Sequence, residues 1–289
     1  SIVDPQPRKK INRILFHHHS MHQKSRYENE TIALEHLDEL RDDFALRGRC
    51  EMFRVNLKSM AAAHQLHQGT NLRGHLVCAR MSHFQRLLTI RNVPAPEEDE
   101  DILQFFREHH DPTIFMERHA MRRGEFRKLI SPLVRSGHLV QDYRGGFKAV
   151  EPIQGPDLWE VKRDYLRDLV QHYPVITLKQ VERLAGSPFS AEEISDVMRD
   201  FEEDGTLIKG FLVDDMHDVC WGRHALLDGA DEISRTRDLV IPPSDPLIHY
   251  FGSLLRERFG YGSAYLVFHR EEPVAAFKAN TREGVIHIT

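Results

Sequence analysis

Along residues 122–150 the apolar positions change period. Phe126, Leu129, Ile130, Leu133 and Val134 recur at helical spacing, with Arg123, Arg127, Lys128 and Arg135 on the other faces, which predicts a helix with one buried stripe. Pro132 lies inside that pattern and is expected to kink or end the helix. Beyond Gly137 the segments HLVQDY and FKAV read as strands, joined across Arg144-Gly145-Gly146, where glycine supplies the positive φ of a tight turn. Upstream, ILQFFREHH and TIFMERHAM read as two shorter helices punctuated by Asp111-Pro112. Three helices and a hairpin make a winged helix.

The same layout recurs. Trp159, Val161, Tyr165, Leu166, Leu169 and Val170 mark a first helix, and ITLKQVERLAG a second. SAEEISDVMRDFEEDG forms a third, opening on a capping box of Ser190 with Glu193 and burying Ile194, Val197, Met198 and Phe201. TLIKGFLV then pairs with a strand around VCWG, with Gly205 standing where Gly137 stands in the first copy.

Past Pro-rich VIPPSDPL the pattern changes class. PLIHYFGSLLRERFGYG reads as a helix, and SAYLVFHREEPVAAFKANTREGVIHIT as a three-stranded meander with turns at 270–272 and 281–284. The expected fold is therefore α+β, mainly α: tandem winged helix-turn-helix domains followed by a small C-terminal antiparallel sheet or barrel. The punctuation divides the chain into an N-terminal helical, possibly winged-helix, domain with a basic arm (1–93), a basic winged helix (94–150), an acidic winged helix (151–239) and a β-barrel-like segment (240–289).

Charge separates the two repeats. The net charge of −5 hides eight Lys/Arg against Glu125 and Asp142 in residues 118–148, and ten acids against Arg199 and Lys209 in residues 190–218. Residues 1–26 add six Lys/Arg against Asp4 alone. The basic copy suits phosphate, and the acidic copy suits a scaffold or a protein partner. This makes Arg122, Arg123, Arg127, Lys128, Arg135, Arg144 and Lys148 candidate contacts to double-stranded DNA; a basic helical face also reads as simply solvated. No apolar run reaches the roughly 20 residues that span a bilayer, so no membrane is expected. Three widely spaced cysteines form neither a zinc pattern nor a paired framework, and with no signal-peptide core the expected location is cytoplasmic, in the nucleoid, or in the nucleus if the source is eukaryotic.

Two longer phrases carry a resemblance. LVIPPSDPLIHYFGSLLRERFGYGSAYLVFHREEPVAAFK resembles the C-terminal signature of the AlkZ/YcaQ-like winged-helix DNA glycosylases, and FEEDGTLIKGFLVDDMHDVCWGRHALL resembles their last winged helix and the matching C-terminal region of long Lhr helicases. NLRGHLVCARMSHFQRLL looks like the family's "MRGTLHLVPAED" segment, which carries over Arg73 as a buried or DNA-facing arginine. The resemblance implies a DNA repair hydrolase that releases a damaged base by cleaving its N-glycosidic bond, without metal or organic cofactor. That chemistry builds positive charge on the sugar and needs a delivered water, tasks for a carboxylate or side-chain amide.

The family's Gln-x-Gln or Gln-x-Asp motif is not present at its usual distance. LEHLDELRDDFALRGRC stands there, so Asp38, Glu39, Asp42 and Asp43 become the catalytic candidates, although beside Arg41 and Arg47 they also read as a solvated charged face. His75 and Val77 stand where the family has Thr and His. His17-His18-His19 with His22 places two imidazoles at i,i+4, but with no acidic or cysteine partner the tract reads as exposed or phosphate-facing, and no metal site is assigned. A non-catalytic DNA-binding protein or transcription regulator on the same scaffold is the alternative.

Overall fold

The computed structural model describes residues 5–19, 56–214, 216–227, 238–243, 245, 247–282 and 285–288. These form two compact units, one of residues 56–164 and one of residues 1–55 with 165–289. The chain is α+β with small antiparallel sheets. The units do not coincide with the four modules read from punctuation.

In the central unit, α1 of the other unit (Arg8–His18) having come first, the chain forms α2 (Leu57–Ala63), β1 (His67–Thr70), β2 (Leu76–Ala79) and α3 (Met81–Arg91). The described residues before 94 thus form a hairpin as well as helices. The β1–β2 turn explains why: Asn71 Oδ1 accepts from the backbone N–H groups of Arg73 (3.1 Å) and His75 (3.0 Å), and Gly74 takes a positive φ. Next come α4 (Glu100–Glu108), α5 (Pro112–Arg118), α6 (Arg123–Ser136), β3 (Leu139–Asp142) and β4 (Phe147–Ala149), the three helices and hairpin expected. Asp111 starts α5 by accepting from Thr113 N at 2.8 Å.

One sheet, ordered β2-β1-β3-β4, joins the two hairpins of this unit. Gly69 permits the join, since a Cβ there would lie 2.7 Å from both Phe84 and Val140 side chains. A cluster of Phe105, Phe106, Phe115, Phe126 and Phe147 fills the space between the helices and the sheet. Of the two outcomes expected at Pro132, a kink or an end, the helix does not end there: α6 continues to Ser136. Buried Leu133 and the bond from Thr70 Oγ1 to Val134 O (2.9 Å) hold the chain in helical path past the missing donor.

α7 (Leu158–Val170) runs across the unit boundary. The second unit continues with β5 (Val175–Ile176), α8 (Leu178–Ala185), α9 (Ala191–Glu203), β6 (Ile208–Gly210), β7 (Cys220–Gly222) and α10 (His224–Leu227). Ser190 Oγ accepts from Glu193 N at 3.1 Å and Glu193 Oε2 from Ser190 N at 2.8 Å, the capping box read in the sequence. β6 pairs with β7, and β5 adds a third strand.

The C-terminal part differs from the meander. β8 (Leu239–Ile241) comes before α11 (Leu247–Tyr250) and α12 (Gly252–Phe259), yet it pairs with β9 (Tyr265–His269), which pairs in turn with β10 (Glu272–Phe277). The last stretch, β11 (Ala279–Arg282) and β12 (Val285–Ile288), forms a hairpin of its own. The β9–β10 turn places Arg270 and Glu271 at positive φ (47° and 68°) and buries Glu271 completely. α1 secures it: Asn12 Nδ2 donates to Glu271 O at 2.9 Å, Arg13 Nε lies 3.4 Å from Glu271 Oε1, and Lys9 meets Glu272 at 3.1 Å. Part of the N-terminal basic arm is therefore committed to internal ion pairs.

Candidate nucleic-acid interface

The basic charge of the first repeat is sorted by helix geometry. Arg123, Arg127, Ser131 and Arg135 follow one another every four residues, so they share a face of α6. Over about 18 Å of helix that face presents three guanidinium groups to a groove of about 540 Å³. The other wall comes from the sheet, with Gln68 on β1 and Gln141 on β3, directly opposed in the ladder. Gly74 and Gly145, both at positive φ in the two turns, stand at its edge. None of the residues lining the groove is acidic, and among the described residues no carboxylate pairs with Arg123, Arg127 or Arg135. An anion entering the groove meets uncompensated positive charge.

Three hydrogen bonds tie down this end of the groove. Thr70 Oγ1 ties β1 to α6, and Arg91, at the end of α3, donates from Nη2 to the Thr70 and Asn71 carbonyls at 2.6 Å each. Its guanidinium also fills the space where a Cβ on Gly137 would be, so the left-handed C-cap of α6 (φ 88°) is confined to glycine twice over. His138, the next residue, is buried; its Nε2 donates to Val93 O (3.1 Å) and its Nδ1 lies 2.7 Å from Ser136 Oγ. Burial holds its pKa below the ordinary histidine value, the bond to Val93 opposing.

The remaining candidates separate from this face. Lys128 on α6 and Arg122, the residue that precedes the helix as its N-cap, are exposed but do not line the groove. Arg73 is half-buried in the β1–β2 turn beside Gly74 and likewise does not line it. Arg144 and Lys148 line a different cavity. Asp38, Glu39, Asp42 and Asp43, together with His22, lie outside the described residues. Gln68 and Gln141 were not singled out as site residues from sequence, although the alternation in HLVQDY puts Gln141 across the sheet from Val140.

The second repeat has the opposite arrangement. Arg199 meets Asp196 at 3.0 Å, Lys209 meets Glu202 at 3.8 Å and Arg167 meets Asp204 at 3.7 Å. Lys209 also lies over the Trp221 ring. These three cations are paired where Arg123, Arg127 and Arg135 are not.

No family model matches the chain, and no curated protein matches it. Among solved structures, the chain is similar to the Streptomyces sahachiroi DNA glycosylase AlkZ, with a TM-score of 0.66 and 10% sequence identity over 99% of this chain and 91% of that one. Among the described residues no helix is long and apolar enough to cross a membrane. With its tandem three-helix-and-hairpin repeats and its C-terminal sheet, the chain shares the fold of that glycosylase.

Proposed function

We propose that this protein binds duplex DNA through the α6 groove and hydrolyses the N-glycosidic bond of a damaged base. The observation that carries the reading is the stripe of Arg123, Arg127 and Arg135 in a groove without a carboxylate. α6 stands third in its repeat, the position from which a winged helix enters the major groove, while the adjoining turns reach the backbone. The fold shared with a DNA glycosylase supports the chemical half of the proposal. Hydrolysis needs a carboxylate near the sugar, and the acid-rich stretch at the matching distance is 38–43, with Asp38, Glu39, Asp42 and Asp43. The acidic second repeat serves as scaffold or as the face for a protein partner.

The test is base release. Incubation with duplexes carrying alkylated bases or uracil, followed by heat and alkali, is expected to cleave at abasic sites. Asp38→Asn or Asp42→Asn is expected to abolish cleavage with DNA affinity near normal, because a catalytic acid acts mainly on the transition state. Tight binding without release from a broad lesion panel would favour the second reading, a non-catalytic DNA-binding protein. That reading draws on one specific observation, the lack of glutamine in residues 34–50.

A further inference from the structure

The sheet that walls the α6 groove has a second face, and strand alternation dictates what it carries. Gln68, Gln141 and Phe147 point to the groove, so their strand neighbours His67, Asp142 and Lys148 point away from it. There they line a separate cavity of about 250 Å³ with His110, Tyr143 and Arg144.

The charged groups of this cavity are unevenly satisfied. Asp142 Oδ1 accepts from the backbone N–H groups of Arg144 and Gly146, each at 2.8 Å, so the carboxylate is occupied in building the β3–β4 turn. His110 Nδ1 donates to Phe147 O at 3.2 Å. Lys148 and Arg144 are exposed and make no ion pair among the described residues. His67 Nδ1 is buried with no hydrogen-bond partner among the described residues, a costly arrangement for a polar atom.

We propose that this cavity binds a phosphate monoester, with Lys148 and Arg144 supplying charge and His67 a hydrogen bond. A monoester carries close to two charges at neutral pH and three acceptor oxygens. A diester within a DNA strand offers one charge and two such oxygens, so the site would favour a free phosphate or a strand end over the strand interior. Burial, then Lys148, holds the His67 pKa below its ordinary value, with His110 acting in the same sense and Asp142 against it. A bound dianion offsets Lys148 and lets His67 take up a proton. Affinity for the dianion then increases as pH is lowered toward the ordinary histidine value of 6.5, until at about pH 6 the monoester begins to lose its own second charge.

The experiment is calorimetric titration of the full chain with a simple alkyl phosphate monoester, a dianion down to about pH 6, at constant ionic strength set by chloride. Saturable binding is expected. Lys148→Met should weaken it about tenfold, the loss of one charge-assisted bond, and His67→Phe should flatten its pH dependence, whereas Arg127→Ala in the α6 groove should leave it unchanged. Because Lys148 is exposed, its variant is informative even where His67→Phe fails to fold. A second arm compares 5′-phosphorylated with 5′-hydroxyl duplexes: a preference for the phosphorylated end that is lost in Lys148→Met identifies a strand end as the ligand, and no preference identifies a free phosphate. Absence of saturable phosphate binding, or binding removed by Arg127→Ala and untouched by Lys148→Met, would overturn the proposal.

Discussion

The two repeats share a local chain path and differ in nearly everything mounted on it. Each runs a third helix into a left-handed glycine and then a hairpin, with φ 88° at Gly137 and 78° at Gly205. A Cβ at Gly205 would meet nothing within 4 Å, whereas one at Gly137 would collide with Arg91. α6 leaves three arginines uncompensated along a groove, and the second repeat pairs Arg199, Lys209 and Arg167 with acids. The positive φ after the third helix is thus a requirement of the turn, while binding capacity resides in side chains that the turn does not dictate.

The α6 stripe is where the two copies should diverge most. Replacing Arg123, Arg127 and Arg135 together by alanine is expected to weaken duplex binding strongly and to flatten the slope of log K against log salt by roughly 0.9 for each phosphate no longer neutralised. The same measurement on Arg122→Ala with Lys128→Ala, which lie off the groove, should show the smaller change; equal changes would show that the groove is not the DNA-binding surface.

Stability separates the two glycines next. Gly205→Ala should cost about 1–2 kcal/mol, the penalty of a left-handed L-residue. Gly137→Ala should cost more by about 1.5–3 kcal/mol, because Arg91 must also leave the Thr70 and Asn71 carbonyls. Denaturant titration of both variants measures the gap, and equal destabilisation would show that Arg91 swings aside freely.

A smaller effect is proton-linked and belongs to the basic unit. His67 and His138 are both held below the ordinary histidine value of 6.5 in the folded chain. Protonation therefore favours the unfolded state: stability is complete above 6.5 and declines as pH falls through the unfolded value toward the lowered ones. Thermal midpoints measured across that window should fall with pH, and His138→Gln should reduce the slope.

The smallest change is expected at the acidic copy. Glu202→Lys, Glu203→Lys and Asp204→Lys together should raise nonspecific DNA affinity by removing repulsion. A decrease would mean that this end of α9 already faces DNA productively.

Much of the fold was legible because short-range rules govern it. Capping of α9 by Ser190, the Asp111-Pro112 start of α5 and the Gly145-Gly146 turn all follow from neighbouring residues, and the structure forms each of them. What escaped was long-range pairing. Nothing local says that β1 will join β3, or that β8 rather than β11 will be the third strand against β9. The same limit applies to the site: alternation along β3 separates Gln141 from Asp142, but only the register of β1 on β3 brings Gln68 beside Gln141 on one face and His67 beside Asp142 on the other. Whether Pro132 would end α6 was likewise beyond local rules, since packing on both sides carries the helix on to Ser136.

The tie between α1 and the β9–β10 turn sets the order of events during synthesis. Asn12 and Glu271 are 259 residues apart, and the whole of residues 56–164 is inserted between the two pieces of their unit. At about 5–20 residues per second, α1 waits on the order of ten to fifty seconds for its partner to leave the ribosome. The inserted unit, whose sheet draws all its strands from residues 67–149, has everything it needs well before then. It is expected to be protected from protease in nascent chains stalled after residue 200, at a stage when Arg13 still has no Glu271 to meet.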